Sequence, residues 1–418
     1  MKIWELVFKI KKEYLNKFHN ICYDYPNEVC LLHWINELGY KEYIDIFNYL
    51  TIKQLGNNLL FKYKDFEQLF YYNQELKYRD FWNLYDGIYR ECRGLVLDIK
   101  NEEIVCLPYP KFFNINEQDE TSEIVIRNKL LKANKVEFTN KLDGTLVIAR
   151  NYRNQNIVCT SGLLDATNSY ILNYANNIFN NNKNYQKLLV DFNDYTCLFE
   201  CITSNNPLVV SYSKKDYGLY LIGMRNIKTK EIKPYSEIID IAIKYDIKIP
   251  EKYNMSFDEI LNSRANYRYN EKEGYVMYLD GMLVKIKCSE YLLMHKRGKN
   301  SISKNDIIKA IYNGTIDDLY SSCEKGFTKI IDETVDIINE YCNLMEFQTK
   351  KMFEKAPKEK IEFFKYVNNQ PKIYKKFLIM KYNNQPCSYL IETGNGNSIK
   401  YIRYAEIERR LKILKNKN

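Results

Sequence analysis

Val136-Glu137-Phe138-Thr139-Asn140-Lys141-Leu142-Asp143-Gly144-Thr145-Leu146-Val147-Ile148-Ala149 decides how this chain is read. Two runs with strand-like composition flank an Asp-Gly pair, the pattern of two strands joined by a tight hairpin turn. Lys141 then ends the first strand, on rigid backbone, with its amine projecting into whatever space the sheets enclose. Taken alone, the stretch reads more readily as an ordinary solvated lysine beside a turn.

Chemistry-bearing residues recur in similar settings along the chain. Glu91-Cys92-Arg93-Gly94-Leu95-Val96-Leu97-Asp98 sets an arginine before a glycine and a β-like run. Pro110-Lys111-Phe112-Phe113-Asn114 offers a cation beside aromatic faces. Leu198-Phe199-Glu200-Cys201-Ile202 places a carboxylate inside an apolar run, where it needs a partner. Lys272-Glu273-Gly274-Tyr275-Val276-Met277 brings a second carboxylate ahead of a strand. Leu283-Val284-Lys285-Ile286-Lys287 has two lysines on alternate positions, hence on one face of a strand. Such a face either meets solvent or faces an anion.

The stretches ECRGLVLD (91–98), KFFNINE (111–117), KLDGTL (141–146), FECITSNNPLVVSY (199–212), EGYVM (273–277) and VKIKCSEYLLMH (284–295) occur in one order. Together they resemble the covalent nucleotidyltransferases, which include DNA ligases, RNA ligases and mRNA capping enzymes. Within that superfamily the wording is most similar to the phage RNA ligase 1 family, from about residue 70 to about residue 320. Single motifs of this kind are weak; six in order are a strong signal.

The resemblance implies that Lys141 forms a covalent lysyl-AMP, that Asp143 orients it and that Gly144 lets the backbone approach the nucleotide. It implies ATP contacts from Arg93, Lys111, Lys285 and Lys287, and stacking of the adenine on Phe113, with Phe112 as the alternative. Glu200 and Glu273 correspond to the ribose, metal and nucleotide carboxylates, Tyr72 to a nucleotide-contacting tyrosine, and Asp317 to a magnesium ligand with Asp318 as its rival. Asp317 and Asp318 equally fit a helix N-terminal capping pattern. The sequence departs from the family at Ser161, where a lysine is expected before Gly162; Arg150 or Arg153 is a candidate replacement.

The chemistry sets demands. A lysine is nucleophilic only when neutral, and neutrality at pH 7 costs about 4.6 kcal/mol from an ordinary pKa of about 10.4. Neighbouring cations or burial reduce that cost. Attack on an α-phosphate also gathers negative charge that Arg, Lys and a divalent cation, magnesium or manganese, must neutralise.

Composition agrees. The chain has 418 residues and a net charge of +9, a balance that suits a polyanionic partner. Its 11 cysteines are scattered and its three histidines, His19, His33 and His295, lie far apart. That spacing gives no zinc pattern and little material for Ser-His-Asp or Cys-His chemistry. The cysteines read as reduced thiols of a soluble intracellular protein, and no apolar run has membrane-spanning length.

The expected fold class is α+β: a nucleotidyltransferase domain of antiparallel sheets flanked by helices, with a mainly helical C-terminal domain. The expected division is a helical N-terminal extension over 1–60, an adenylyltransferase domain over 61–298 and a helical RNA-specificity domain over 299–418. The expected activity is ATP-dependent joining of RNA 5′-phosphate and 3′-hydroxyl ends by a monomer, in RNA repair, with tRNA among the candidate substrates. DNA ligase, capping-type nucleotidyl transfer and non-catalytic binding of RNA ends are the alternatives.

Overall fold

The structure is a computed structural model and describes residues 1–25, 28–64, 78–167, 169–205, 208–294, 303–321, 328–383, 388–392 and 400–415. Two compact units divide the chain. The first holds Met1–Lys64 and Arg79–Arg297; the second contains the described residues from 303 onward.

The first unit opens with helices Ile3–Phe18, Cys30–Leu38 and Lys41–Asn48. In Ile3–Phe18 the buried residues Ile3, Leu6, Val7, Ile10 and Tyr14 recur at helical spacing and form one apolar stripe. Residues 50–63 depart from the helical reading of the first 60 residues. They form an antiparallel hairpin of β1 (Leu50–Leu55) and β2 (Asn58–Tyr63) across Gly56-Asn57. Gly56 has φ +57°, a conformation glycine tolerates and a Gly-Asn pair advertises.

β2 pairs with β3 (Arg93–Asp98), and β3 with β4 (Glu103–Cys106), giving a four-stranded sheet in the order β1-β2-β3-β4. The chain continues through β5 (Phe113–Asn114), β6 (Val136–Lys141), β7 (Thr145–Tyr152), β8 (Gln155–Thr160), β9 (Tyr195–Ile202), β10 (Gly218–Asn226), β11 (Lys252–Tyr253), β12 (Gly274–Leu279) and β13 (Met282–Lys287). A second sheet has the order β10-β9-β7-β8, and a third β11-β6-β12-β13-β5. All pairings are antiparallel except β13 with β5.

One buried cluster joins the three sheets: Leu60 and Val96 from the first, Ile148 and Leu198 from the second, Leu283 from the third. Each large apolar side chain buried this way contributes about 1.5–3 kcal/mol. The Asn-rich stretch after β8 forms helices Tyr170–Asn181 and Lys183–Asp191, whose Leu172, Phe179, Leu188 and Leu189 pack on the second sheet.

The second unit is mainly helical: Lys304–Tyr312, Ile316–Ser321, Thr328–Glu354, Lys360–Asn368, Lys372–Tyr382 and Tyr404–Lys415. Ile331, Val335, Ile338, Tyr341 and Met345 line the buried side of Thr328–Glu354 at helical spacing. Two short strands, Ile391–Glu392 and Lys400–Tyr401, pair within it. The α+β class is therefore observed. Among the described residues no helix is long and apolar enough to cross a membrane.

Candidate active site

Lys141 is the last residue of β6, but β7 does not fold back on it. β6 pairs with β11 and β12, whereas β7 pairs with β8 and β9. Leu142-Asp143-Gly144 thus carries the chain from one sheet to another, and the hairpin expected from the Asp-Gly pair does not form. Two contacts explain the difference. The Asp143 carboxylate accepts backbone N–H groups of Val209 and Val210 at 2.7 and 2.9 Å, and Asp143 N–H donates to the Tyr212 hydroxyl at 2.9 Å. Gly144 sits against β9: a Cβ there would lie 2.7 Å from Cys201 O and 2.7 Å from Glu200 Cγ. Asp143 is therefore an anchor for the crossover, and Gly144 is the contact that lets β7 join the second sheet.

The rest of β6 is equally fixed. Glu137 is buried and accepts N–H groups of Tyr235 and Ser236 at 2.6 and 3.1 Å, closing the N-terminus of helix Tyr235–Tyr245, while Lys252 Nζ lies 2.8 Å away. At the other end, Gly274 of β12 pairs with Lys141 on one side and Lys287 of β13 on the other. Two lysines thus stand on neighbouring strands around a residue with no side chain.

Glu273, just before β12, joins them. Its carboxylate accepts Lys141 Nζ at 2.6 Å and lies 3.2 Å from Lys287 Nζ. Burial pushes the Glu273 carboxyl up, but Lys141 and Lys287 outweigh it and leave it below the usual carboxylate value. Glu200 on β9 behaves oppositely. Its carboxyl is surrounded by protein although the residue keeps some exposure, and that burial raises its pKa to about 7 despite nearby Lys141 and Arg93. Two carboxyls in one site are thereby held in different protonation ranges.

Lys141, Lys285, Lys287, Arg93, Glu200 and Phe112 line a cavity of about 360 Å³ where the sheets meet. Phe112 lies between two cations, its ring centroid 5.9 Å from the Arg93 guanidinium and 5.0 Å from Lys285 Nζ. Gly94 lets the first sheet close on this cavity. It has φ +93°, and a Cβ on it would be 2.9 Å from Ser161 Cα. The preceding Glu91 is structural: it pairs, buried, with Arg225 at 2.6 Å.

Several expected residues lie elsewhere. Phe113 does not reach the cavity; its ring packs on Trp82 at 5.6 Å, and Phe112 faces the cavity instead. Lys111 shares the Phe113 side, with Nζ 5.6 Å from that ring and 3.9 Å from Glu117. Residues of extended backbone alternate sides, so 111 and 113 turn away together while 112 turns in. Arg150 donates to the carbonyls of Asn193, Ile104 and Val105, and Arg153 to Glu103, so neither replaces the lysine expected at Ser161, which itself lines the cavity. Asp317 lies in the first turn of Ile316–Ser321, in the second unit, and Tyr72 lies outside the described residues. Among the described residues no group of three or more His, Cys, Asp or Glu could hold a metal. Lys233, Tyr235 and Tyr278 also line the cavity. None stood in a motif that would have announced it.

The arrangement gathers cations around one lysine, with an aromatic face beside them, in a partly enclosed space. It suits a ligand that carries several phosphates and a flat ring. A family model described as RNA ligase, of the phage RNA ligase 1 type, matches residues 91–297. Residues 91–297 belong to this RNA ligase family. The span takes in Arg93, Lys141, Glu200, Glu273, Lys285 and Lys287.

A putative bifunctional polynucleotide kinase/RNA ligase of Autographa californica nuclear polyhedrosis virus is 24% identical over 267 residues, 60% of this chain and 37% of that protein. Among solved structures, Naegleria gruberi RNA ligase with PPi has a TM-score of 0.35 at 18% identity, covering 45% of this chain and 58% of that one. An archaeal ATP-dependent RNA ligase has a TM-score of 0.44 at 12% identity, covering 93% and 99%. A putative ATP-dependent DNA ligase from Aquifex aeolicus has a TM-score of 0.42 at 12% identity, covering 84% and 100%. The chain therefore spans little more than a third of the viral relative and just over half of the Naegleria protein.

Proposed function

We propose that this chain is an ATP-dependent RNA ligase that joins 5′-phosphate and 3′-hydroxyl RNA ends through a lysyl-AMP on Lys141, in the repair of broken RNA. The observation that carries the reading is the position of Lys141 in the cation-lined cavity, held by Glu273 within the ligase-family span.

In the first step the neutral Lys141 amine attacks the α-phosphorus of ATP. A P–N bond forms, the bond to the bridging oxygen breaks, pyrophosphate leaves and the amine gives up a proton. In the second, a 5′-phosphate oxygen of RNA takes the AMP and the lysine regains its proton. In the third, the 3′-hydroxyl attacks that activated 5′-phosphorus, a phosphodiester forms, and AMP and the hydroxyl proton leave. Lys285, Lys287 and Arg93 stabilise phosphate charge, Phe112 stacks on the adenine, and Glu273 holds Lys141 in position for the attack. Glu200 lines the cavity together with Lys141, Lys285 and Lys287 and is the carboxylate there that would hold a divalent metal. When bound, magnesium would neutralise phosphate charge there. The helical second unit is proposed to choose the RNA.

The test is sealing. With ATP and magnesium, RNA bearing 5′-phosphate and 3′-hydroxyl ends should be joined, with slower or no joining of nicked DNA and none with GTP. Equal use of nicked DNA, or joining that ignores ATP, would refute the reading.

A further inference from the structure

We propose that Lys62, on the hairpin ahead of the ligase-family span, is a phosphate-binding residue of the Lys141 cavity. The inference rests on the ligase reading above and adds a residue that lies outside residues 91–297.

Two independent observations place it. First, Lys62 of β2 is the direct cross-strand partner of Arg93 on β3. The pair lies at a bulge, where the register shifts between Phe61 and Lys62, and it sets Lys62 beside Arg93, which lines the cavity. Second, a Cβ placed on Gly162 would meet Lys62 Cδ at 3.6 Å. The Lys62 stem therefore runs alongside Gly162, whose neighbour Ser161 lines the cavity. From there the ammonium, two bonds beyond Cδ, can extend toward a ligand lying along Ser161.

The charge arrangement gives this position a use. Lys141 and Lys287 converge on Glu273, and Lys285 lies with Arg93 around Phe112. Ser161, just past β8, is uncharged, while Arg150 and Arg153 bind carbonyls and Glu103. Strand β8 therefore brings no cation of its own to a ligand whose phosphates extend along Ser161. Lys62 supplies one from across the sheet interface, and Gly94 permits the close approach that brings it there.

Two ligands share this chemistry: the outer phosphates of ATP and the 5′-phosphate of RNA. They separate by step. In self-adenylylation with ATP, a Lys62 that holds the triphosphate makes Lys62→Gln raise the KM for ATP about ten- to hundredfold. If Lys62 holds the RNA end, the same rise appears in the RNA KM when pre-adenylylated protein transfers AMP to 5′-phosphate RNA. In either case Lys62→Arg should recover most of the loss, which a purely structural role would not show, and the melting temperature of each variant tracks folding. The proposal is overturned if Lys62→Gln keeps the wild-type KM in both steps, or if Lys62→Arg is as impaired as Lys62→Gln. Absence of any adduct from the wild-type protein would instead sink the ligase reading itself.

Discussion

Replacing Glu273 by Gln removes a negative charge that both Lys141 and Lys287 touch while keeping its shape. The side chains are 5% exposed for Glu273, 20% for Lys141 and 11% for Lys287. Removing one partner of a buried ion pair typically costs about 3–5 kcal/mol. Because both ammoniums keep some contact with cavity water, the lower end applies, about 3 kcal/mol. For a unit of this size that lowers the melting temperature by about 5 °C. Thermal melts at pH 7 with and without pyrophosphate are the assay. Pyrophosphate returns anionic charge to the two lysines, so it should raise the melting temperature of Glu273→Gln more than that of the wild type. The pH dependence follows in sign. The folded Glu273 carboxyl lies below its ordinary value of 4.5, so its stabilisation is complete above that value and lost as pH falls through the lower folded one. The gap between variant and wild type should therefore close on acidification. A variant that melts within about 1 °C of wild type at pH 7, with no larger response to pyrophosphate, would refute the reasoning.

Three further outcomes are expected. Glu200→Gln should stabilise the ligand-free protein by about 2 kcal/mol at pH 8 and much less at pH 4, because a carboxyl raised to about 7 destabilises the fold as pH climbs from its unfolded value of 4.5; melts across pH check this, and a flat difference contradicts it. Phe112→Ala should raise the KM for ATP with little change in melting temperature, whereas Phe113→Ala should lose about 3–5 kcal/mol of stability from its packing on Trp82; the reverse pattern would return the adenine to Phe113. Gly144→Ala should cost about 1–3 kcal/mol, since its Cβ meets Cys201 O and Glu200 Cγ at 2.7 Å, and should slow adduct formation measured on a denaturing gel.

Much of the site was legible because its residues sit in strands, where period-two alternation tells which side chains share a face. Lys285 and Lys287 on β13 are the clearest case, and Arg93 before Gly94 is another. What misled was pairing. The composition of 136–149 predicts two strands but not that they join different sheets, since that depends on Asp143 reaching Val209 and Val210, 66 and 67 residues away. The choice between Phe112 and Phe113 stayed open in the sequence for a related reason: adjacent aromatics in extended backbone point opposite ways, and the sequence alone does not say which side holds the cavity. The hairpin of residues 50–63 carried its own signal in Gly56-Asn57, overshadowed by the helical periodicity before it. Lys62 stood in no motif at all; only its pairing with Arg93 and its place beside Gly162 put it forward.

The most direct measurement of the central claim is incubation of the protein, first stripped with pyrophosphate, with α-labelled ATP and magnesium, followed by a denaturing gel. The account predicts a labelled band that survives denaturation, is released by acid, and is absent in Lys141→Ala, while Lys141→Ala still seals pre-adenylylated RNA. A band that persists in Lys141→Ala, or no band from the stripped wild-type protein, would contradict it.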